Sequence, residues 1–262
     1  MKRFLLIILL FILIQGSWAN PLDSVSKMPF SRGERLNYKV YYKTFLGKIY
    51  AGEIVMEIKN TRREFNGHDT FHLECVCRTR HSFHWIMNVE DRFESYIDEK
   101  SMLPWLFIRQ VREGSYEKDE EVEFFPDQQM AKSKTGTKQT PSNVQDILSA
   151  FYFPRTSDVS NLKPGDSFQI PIFLDDSVYT SAIIFKDKEI AKTHSGNFNC
   201  MKFTPMVVTG RVFSNRYPMT VWISDDKEKI PIFIESSLSI GKLEVELSST
   251  SGLANPLKSK IN

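Results

Sequence analysis

The chain has 262 residues, with 34 Lys+Arg against 32 Asp+Glu and a formal charge of +2, so no strong field gathers nucleic acid or an acidic membrane surface. Hydrophobic residues make up 41% and aromatic residues 13%, enough to build a sizeable core without disulfide staples. Three cysteines, Cys75, Cys77 and Cys200, exclude a disulfide framework and leave at least one thiol unpaired.

Lys2 and Arg3 precede an apolar run from Phe4 to Ile14, the order of a secretory signal. A helix of that length rises about 16 Å, roughly half of what a bilayer requires. Gln15 and Gly16 end the run, and Ser17-Trp18-Ala19 puts small residues where signal peptidase reads. Cleavage is therefore expected after Ala19, removing residues 1–19 and leaving 32 basic against 32 acidic side chains. No Cys follows the cut to carry a lipid, so the expected product is soluble, without a transmembrane segment, in the periplasm or secreted. Residues 20–30 read as an N-terminal extension, 31–249 as a single β-rich domain and 250–262 as a flexible tail.

Leu36, Tyr38, Val40 and Tyr42 share one face of a first strand, and Ile54, Met56 and Ile58 one face of the next. Apolar runs follow at Phe71 to Cys77 and Leu106 to Val111, with a helical turn within 82–88 leading into a strand from Val89 to Ile97. Pro126 to Pro141 is polar and reads as a loose strand and exposed loop. Ser142 with Gln145 makes a capping-box pattern ahead of Val144, Ile147, Leu148 and Phe151, which predicts a helix over about 143–153 stopped by Pro154. Further strands are expected at Phe168 to Phe173, Val178 to Phe185, Cys200 to Val208, Met219 to Ile223 and Pro231 to Ile234. Leu243, Val245 and Leu247 alternate with Glu244 and Glu246, the pattern of a sheet wet on one side. The fold class is mainly β: a curved antiparallel sheet or open barrel with one mid-chain α-helix.

Asp98-Glu99-Lys100-Ser101-Met102-Leu103-Pro104 recurs as Asp225-Asp226-Lys227-Glu228-Lys229-Ile230-Pro231, after Tyr96-Ile97 and Trp222-Ile223. Gly33-Glu34 and Gly165-Asp166 precede the first strand of each stretch. Two related halves, about 31–136 and 160–249, are thereby expected. The carboxylates of Asp98 and of Asp225, beside Asp226, should accept N–H groups of their own turns. Pro104 and Pro231 should open the returning strands, where a missing N–H harms no ladder bond.

His72, Cys75, Cys77, His81 and His84 fall close together but lack the paired spacing of a structural zinc site, so neither metal nor cofactor is expected. A bridge from Cys200 to Cys75 or Cys77 stays open, whereas Cys75 and Cys77 stand too far apart on a strand to bridge each other without strain. The acid pairs Asp175-Asp176 and Asp225-Asp226 read as solvated turn residues. Glu90-Asp91 with Glu94 makes a further acidic group. No Gly-x-Ser-x-Gly elbow, phosphate-cradling glycine loop or His-Glu-x-x-His occurs, and no catalytic residue is assigned. Trp85, Phe93, Trp105 and Trp222 are the candidate lining of an apolar pocket, core packing being the competing role for aromatics on strands.

Gly33-Glu34-Arg35-Leu36-Asn37-Tyr38, Ala51-Gly52, Asp91 to Asp98, Pro104, Asp146-Ile147-Leu148-Ser149-Ala150, Pro164-Gly165-Asp166, Gly196-Asn197-Phe198 and Trp222 to Asp226 with Pro231 resemble the bacterial exported family catalogued as domain of unknown function 3108. The resemblance implies an envelope protein of Gram-negative bacteria and gives no reaction. The aspartate–proline hairpin is also similar to that of periplasmic lipoprotein carriers with an open, curved antiparallel sheet. The resulting expectation is an exported, non-catalytic binding module for an apolar or glycan ligand. A structural or interaction protein of the cell envelope is the first alternative, and a hydrolase with an unrecognised site the second. Expected partners are a lipid, a glycan or an envelope protein, and no nucleic acid.

Overall fold

The computed structural model describes residues 28–85, 87–206, 219–238 and 241–261. The signal segment with its Ala19 cut, most of the 20–30 extension, and residues 207 and 208 lie outside these.

The first half runs as β1 (Arg35–Thr44), β2 (Gly47–Ile58), β3 (Arg63–Phe65), β4 (His68–Thr79), β5 (Glu90–Asp98), β6 (Pro104–Glu113), β7 (Tyr116–Phe125), β8 (Met130–Ser133) and β9 (Gly136–Gln139). After one short helix, α1 (Ser149–Tyr152), come β10 (Ser167–Leu174), β11 (Ser177–Thr193), β12 (Gly196–Pro205), β13 (Met219–Ser224), β14 (Pro231–Ser237), β15 (Lys242–Ser251) and β16 (Lys260–Ile261). The main path of the sheet is β10-β11-β12-β13-β14-β15-β1-β2-β4-β5-β6-β7-β8-β9. Each half is thus a meander of sequential hairpins. The two meet where β15 pairs with β1, Val40 opposite Val245.

Alternation decides which face turns inward. Leu36, Tyr38 and Val40 are buried between exposed Arg35 and Lys39, and with Ile54, Met56, Leu73, Phe93, Val245 and Leu247 they join one core. Glu244 and Glu246 depart from the expected wet face. Both are buried, because Lys48 bridges them and His194 adds its N–H to Glu246 at 3.0 Å.

The two halves begin alike. Gly33 N–H donates to Ile58 O and Ile58 N–H returns to Glu34 O, both at 2.8 Å. Gly165 N–H donates to Phe185 O at 2.9 Å and Phe185 N–H returns to Asp166 O at 2.8 Å. The glycines sit at φ +85° and +100°, a region that disfavours any side chain.

Their hairpins also correspond. Bulges at Tyr96/Ile97 and Trp222/Ile223 set Ile97 opposite Pro104 and Ile223 opposite Pro231, and each proline opens its strand as expected. The second turn is one residue longer, and that moves the capping acid. Asp98 Oδ1 accepts the N–H groups of Lys100 and Ser101 at 2.8 and 2.7 Å. In the second turn this role belongs to Asp226, whose Oδ1 accepts Glu228 N–H at 3.1 Å and whose Oδ2 accepts Ser259 N–H at 2.9 Å. Asp225 instead pairs with Lys188 at 2.9 Å.

Two further expectations are corrected. The helix is one turn, α1, followed by a 3-10 turn over Phe153–Thr156. Residues 143–148 stay out of it because β10 captures Gln145, whose N–H donates to Pro171 O and whose O accepts Phe173 N–H, both at 2.8 Å. Asp146 rather than Ser142 starts the turn, its Oδ1 accepting Leu148 and Ser149 N–H at 2.7 and 2.8 Å. Nor does the stretch after Ser251 hang free: β16 pairs with β12, and Asn199 N–H donates to Ser259 O at 2.8 Å.

The sheet does not close into a barrel; β9 and β10 remain its two ends. Curvature nevertheless brings the β10–β11 turn over β6 to β8, where Asp175 meets Arg109 and Lys118 and Asp176 meets Ser133. Cys75, Cys77 and Cys200 are buried free thiols. Cys200 therefore makes no bridge.

Candidate functional site

The inward side chains of the second meander do not all join the main core. Phe185, Met201 and Phe203 form a separate cluster, with Ile183 and Ile223 packed on it, while Ile170, Ile172 and Ala150 belong to the main core. The space between the two groups is a cleft. Its walls are Phe168, Ile170 and Ile172 of β10, Ser181 and Ile183 of β11, Met201 and Phe203 of β12, and Val221 and Ile223 of β13. Ala150, Phe151, Pro154 and Arg155 cover it from the helix side, and Lys229 and Pro231 from the β13–β14 hairpin. The volume that the centre of a water molecule can occupy there is about 70 Å³. At about 10–15 Å³ per water this admits a slender chain rather than a bulky ligand.

Polar groups enter the cleft at few points. Ser181 Oγ donates to Met206 O at 3.4 Å. Arg155 is committed elsewhere: its guanidinium donates to both oxygens of Glu34 at 2.6 and 2.8 Å and to Glu228 O at 2.9 Å. Fully buried, it lies over the rings of Phe30 and Tyr152. The one ion pair thereby ties the lead-in of the first meander, the helix and the second hairpin together. Lys229 Nζ donates to the carbonyls of Arg155 and Ser157, and burial pulls its ammonium below the usual lysine range.

None of the four expected lining aromatics is in this cleft. Trp85 is 83% exposed in the 80–88 loop, where the expected helical turn is a 3-10 turn over His81–Phe83. Phe93 is 1% exposed within the main core. Trp105 is buried against Phe65, ring on ring at 6.3 Å. Trp222 points away from the cleft, its Nε1 donating to Glu189 at 2.5 Å and its ring packed on Phe233 at 5.0 Å. Its neighbours Val221 and Ile223 do line the space. The usable signal was the alternation within Phe168-Ile170-Ile172 and Met201-Phe203 rather than tryptophan content.

The remaining candidates have partners of other kinds. His72 Nε2 lies 2.7 Å from Glu94, and the His81 and His84 rings meet edge to face at 5.0 Å. Asp175 is held below the usual carboxylate range by Lys118 and Arg109, which outweigh its burial. Three buried carboxyls go the other way. Burial pushes Asp91 up to about 7, Asp146 up to about 6 and Glu228 above its ordinary value, but none of the three lines the cleft. Two wider depressions, one around Arg109, Lys118 and Glu120, the other around Glu74, Arg78 and Arg92, are lined by side chains that already pair among themselves. Large apolar side chains stand out of the surface at the β1–β2 tip, Phe45 at 94% and Leu46 at 83% exposure.

Residues 37–248 match the model of the family described as protein of unknown function, DUF3108. The chain belongs to that family. Membership fixes kinship over most of this DUF3108 chain and supplies no activity. No curated protein matches the sequence. Among solved structures, the β-barrel-like DUF1849 protein of Brucella abortus aligns with a TM-score of 0.56 at 8% identity, covering 86% of this chain and 98% of its own. At that identity the likeness shows the fold alone. A Bacteroides fragilis protein with a YmcC-like fold aligns over 86% of this chain and 98% of its own, with a TM-score of 0.38 at 11% identity.

Proposed function

We propose that this protein is an exported, non-catalytic binding module whose second meander holds an apolar chain. The cleft carries the reading: its walls are aliphatic and aromatic side chains of four neighbouring strands, and a helical turn covers it. Burying apolar ligand surface there gains roughly 25 cal/mol per Å². A glycan fits less well, because its hydroxyls would find little beyond Ser181 and Lys229 to bond. Lys2, Arg3 and the apolar run to Ile14 support export, and the module is read as acting in the periplasm or as a secreted protein.

Native mass spectrometry of the protein purified from its own envelope tests both parts. The expected species is a chain beginning at Asn20 with a lipid adduct that is lost on activation in the gas phase. A bare mature chain that also fails to bind dodecanoate and dodecanol in equilibrium dialysis would remove the binding reading. A mature chain still carrying Lys2 and Arg3 would remove export.

A further inference from the structure

The cleft is apolar, yet one charge at its edge is unbalanced. Of the two cations that line it, Arg155 is neutralised by the bidentate Glu34 contact. Lys229 has no such partner: among the described residues its Nζ meets only the carbonyl oxygens of Arg155 and Ser157. Asp158, the carboxylate whose charge acts on it, makes no ion pair with it and accepts the hydroxyl and N–H of Ser160. Two carbonyls use two of the three donors of an ammonium, so one N–H remains and no carboxylate among the described residues touches the charge. A half-buried cation without a contacting counter-charge is costly. Lysines elsewhere in this chain avoid that situation: Lys48 bridges Glu244 and Glu246, Lys59 pairs with Glu74, and Lys118 pairs with Asp175.

The Lys229 position is built rather than incidental. It occupies φ +46° in the β13–β14 turn, which the Asp226 bonds to Glu228 N–H and Ser259 N–H fix in place. The turn fixes the backbone that carries the ammonium, and the carbonyls of Arg155 and Ser157 hold it at the cleft edge. The equivalent positive-φ position of the first hairpin is Met102 at +61°, buried in the core. The two hairpins therefore place an apolar side chain where the core is filled and a cation where it is parted.

We propose that Lys229 receives the anionic head of the ligand, so that the cleft takes a single-chain amphiphile ending in a carboxylate or a phosphate. This rests on the apolar-chain reading above and adds the head group to it. The chain enters between β10–β13 and the helical turn, and the head completes the third hydrogen bond of Lys229 while supplying a counter-charge in contact with it. Burial already depresses the Lys229 ammonium, and the arriving anion restores it.

The test is direct binding of dodecanoate, dodecyl phosphate and dodecanol to the full mature chain, measured by equilibrium dialysis. At low salt, at least one of the two anions should bind roughly tenfold tighter than the alcohol, and whichever does so identifies the head. Lys229→Gln should bring the anions to within about twofold of the alcohol and leave the alcohol unchanged, while Lys229→Arg should keep the preference. Should Lys229→Gln not fold, the anion-to-alcohol ratio of the wild-type chain decides alone. Equal affinity for all three would overturn the head-group assignment and leave the apolar-chain reading standing. If none of the three bound, both would fall.

Discussion

The two meanders share their lead-in bonds and the bulge-and-proline hairpin, but they treat their interiors differently. In the first, Leu73, Cys75, Phe93 and Phe107 close into the main core. In the second, Phe185, Met201 and Phe203 stand apart from Ile170 and Ile172, and a cleft runs between. Framework and filling are thus separable: backbone devices set where the strands turn, and side-chain volume decides whether the space inside is closed. The two meanders are tied together by Glu34 in the lead-in of the first and by Arg155 of the connecting helical turn, which also donates to Glu228 O in the hairpin of the second.

The sharpest way to break that relation is to remove one partner of this pair. Arg155→Met should leave Glu34 buried and unpaired and cost about 3–5 kcal/mol, read as a lowered urea midpoint with an unchanged slope. Adding Glu34→Gln should return a large part of the loss, since the stranded charge is what costs most. A single-variant loss below about 1 kcal/mol would show that the halves do not depend on this contact.

A second comparison concerns pH and the first meander. Burial raises Asp91 to about 7, opposed by the Arg112 N–H bond and reinforced by Glu113. The unfolded value is about 3.9, so between about pH 4 and 7 the folded chain binds more protons than the unfolded one. Stability from this group is therefore complete below about pH 4 and declines as pH rises through 7. Asp91→Asn should flatten the fall of melting temperature between pH 5 and 8. Asp98 has the reverse sign: its burial is outweighed by the Ser101 and Lys100 N–H bonds and by His68. Its lowered value gives stability that is present above about pH 4 and lost on further acidification.

How far the sequence speaks can be judged from particular residues. Alternation located most strands and the β15 to β1 faces, because a period of two is a direct consequence of the pleat. Local chemistry gave the prolines of both hairpins, since a missing N–H is harmless where a strand opens. The helix expected over 143–153 shortens to α1 because a long-range partner, β10, captures Gln145, and a capping pattern carries no knowledge of it. Glu244 and Glu246 read as wet from the sequence because Lys48 reaches them from β2 and His194 reaches Glu246 from the β11–β12 turn. The cleft was invisible to a count of tryptophans, since it depends on where two aliphatic clusters fail to meet.

Asp226→Ala should come next in size. Its two oxygens serve Glu228 N–H, Ser259 N–H and the Ser224 hydroxyl, so truncation strands buried donors at about 1–3 kcal/mol. Asp98→Ala in the first hairpin should cost a similar amount, and equal losses in urea unfolding would confirm that the two carboxylates are counterparts despite the one-residue offset. A much larger effect for Asp226 would show that it also secures the C-terminal strand β16 through Ser259.

The smallest expected effect belongs to Asp225, the residue that aligns with Asp98 by sequence alone. Among the described residues its carboxylate meets only the Lys188 ammonium, at 2.9 Å, and both side chains reach solvent. Such a pair in water gains little beyond what each ion already has from solvent, and salt screens it further. Asp225→Ala should therefore change stability by less than about 0.5 kcal/mol, and that small change should vanish in high salt. The contrast with its neighbour is the informative quantity, because the two substitutions remove the same group one residue apart. If Asp225→Ala cost as much as Asp98→Ala, the longer second turn would have to rearrange in solution so that Asp225 caps it, and the backbone correspondence between the two hairpins would then run through the acid rather than through the bulge and the proline.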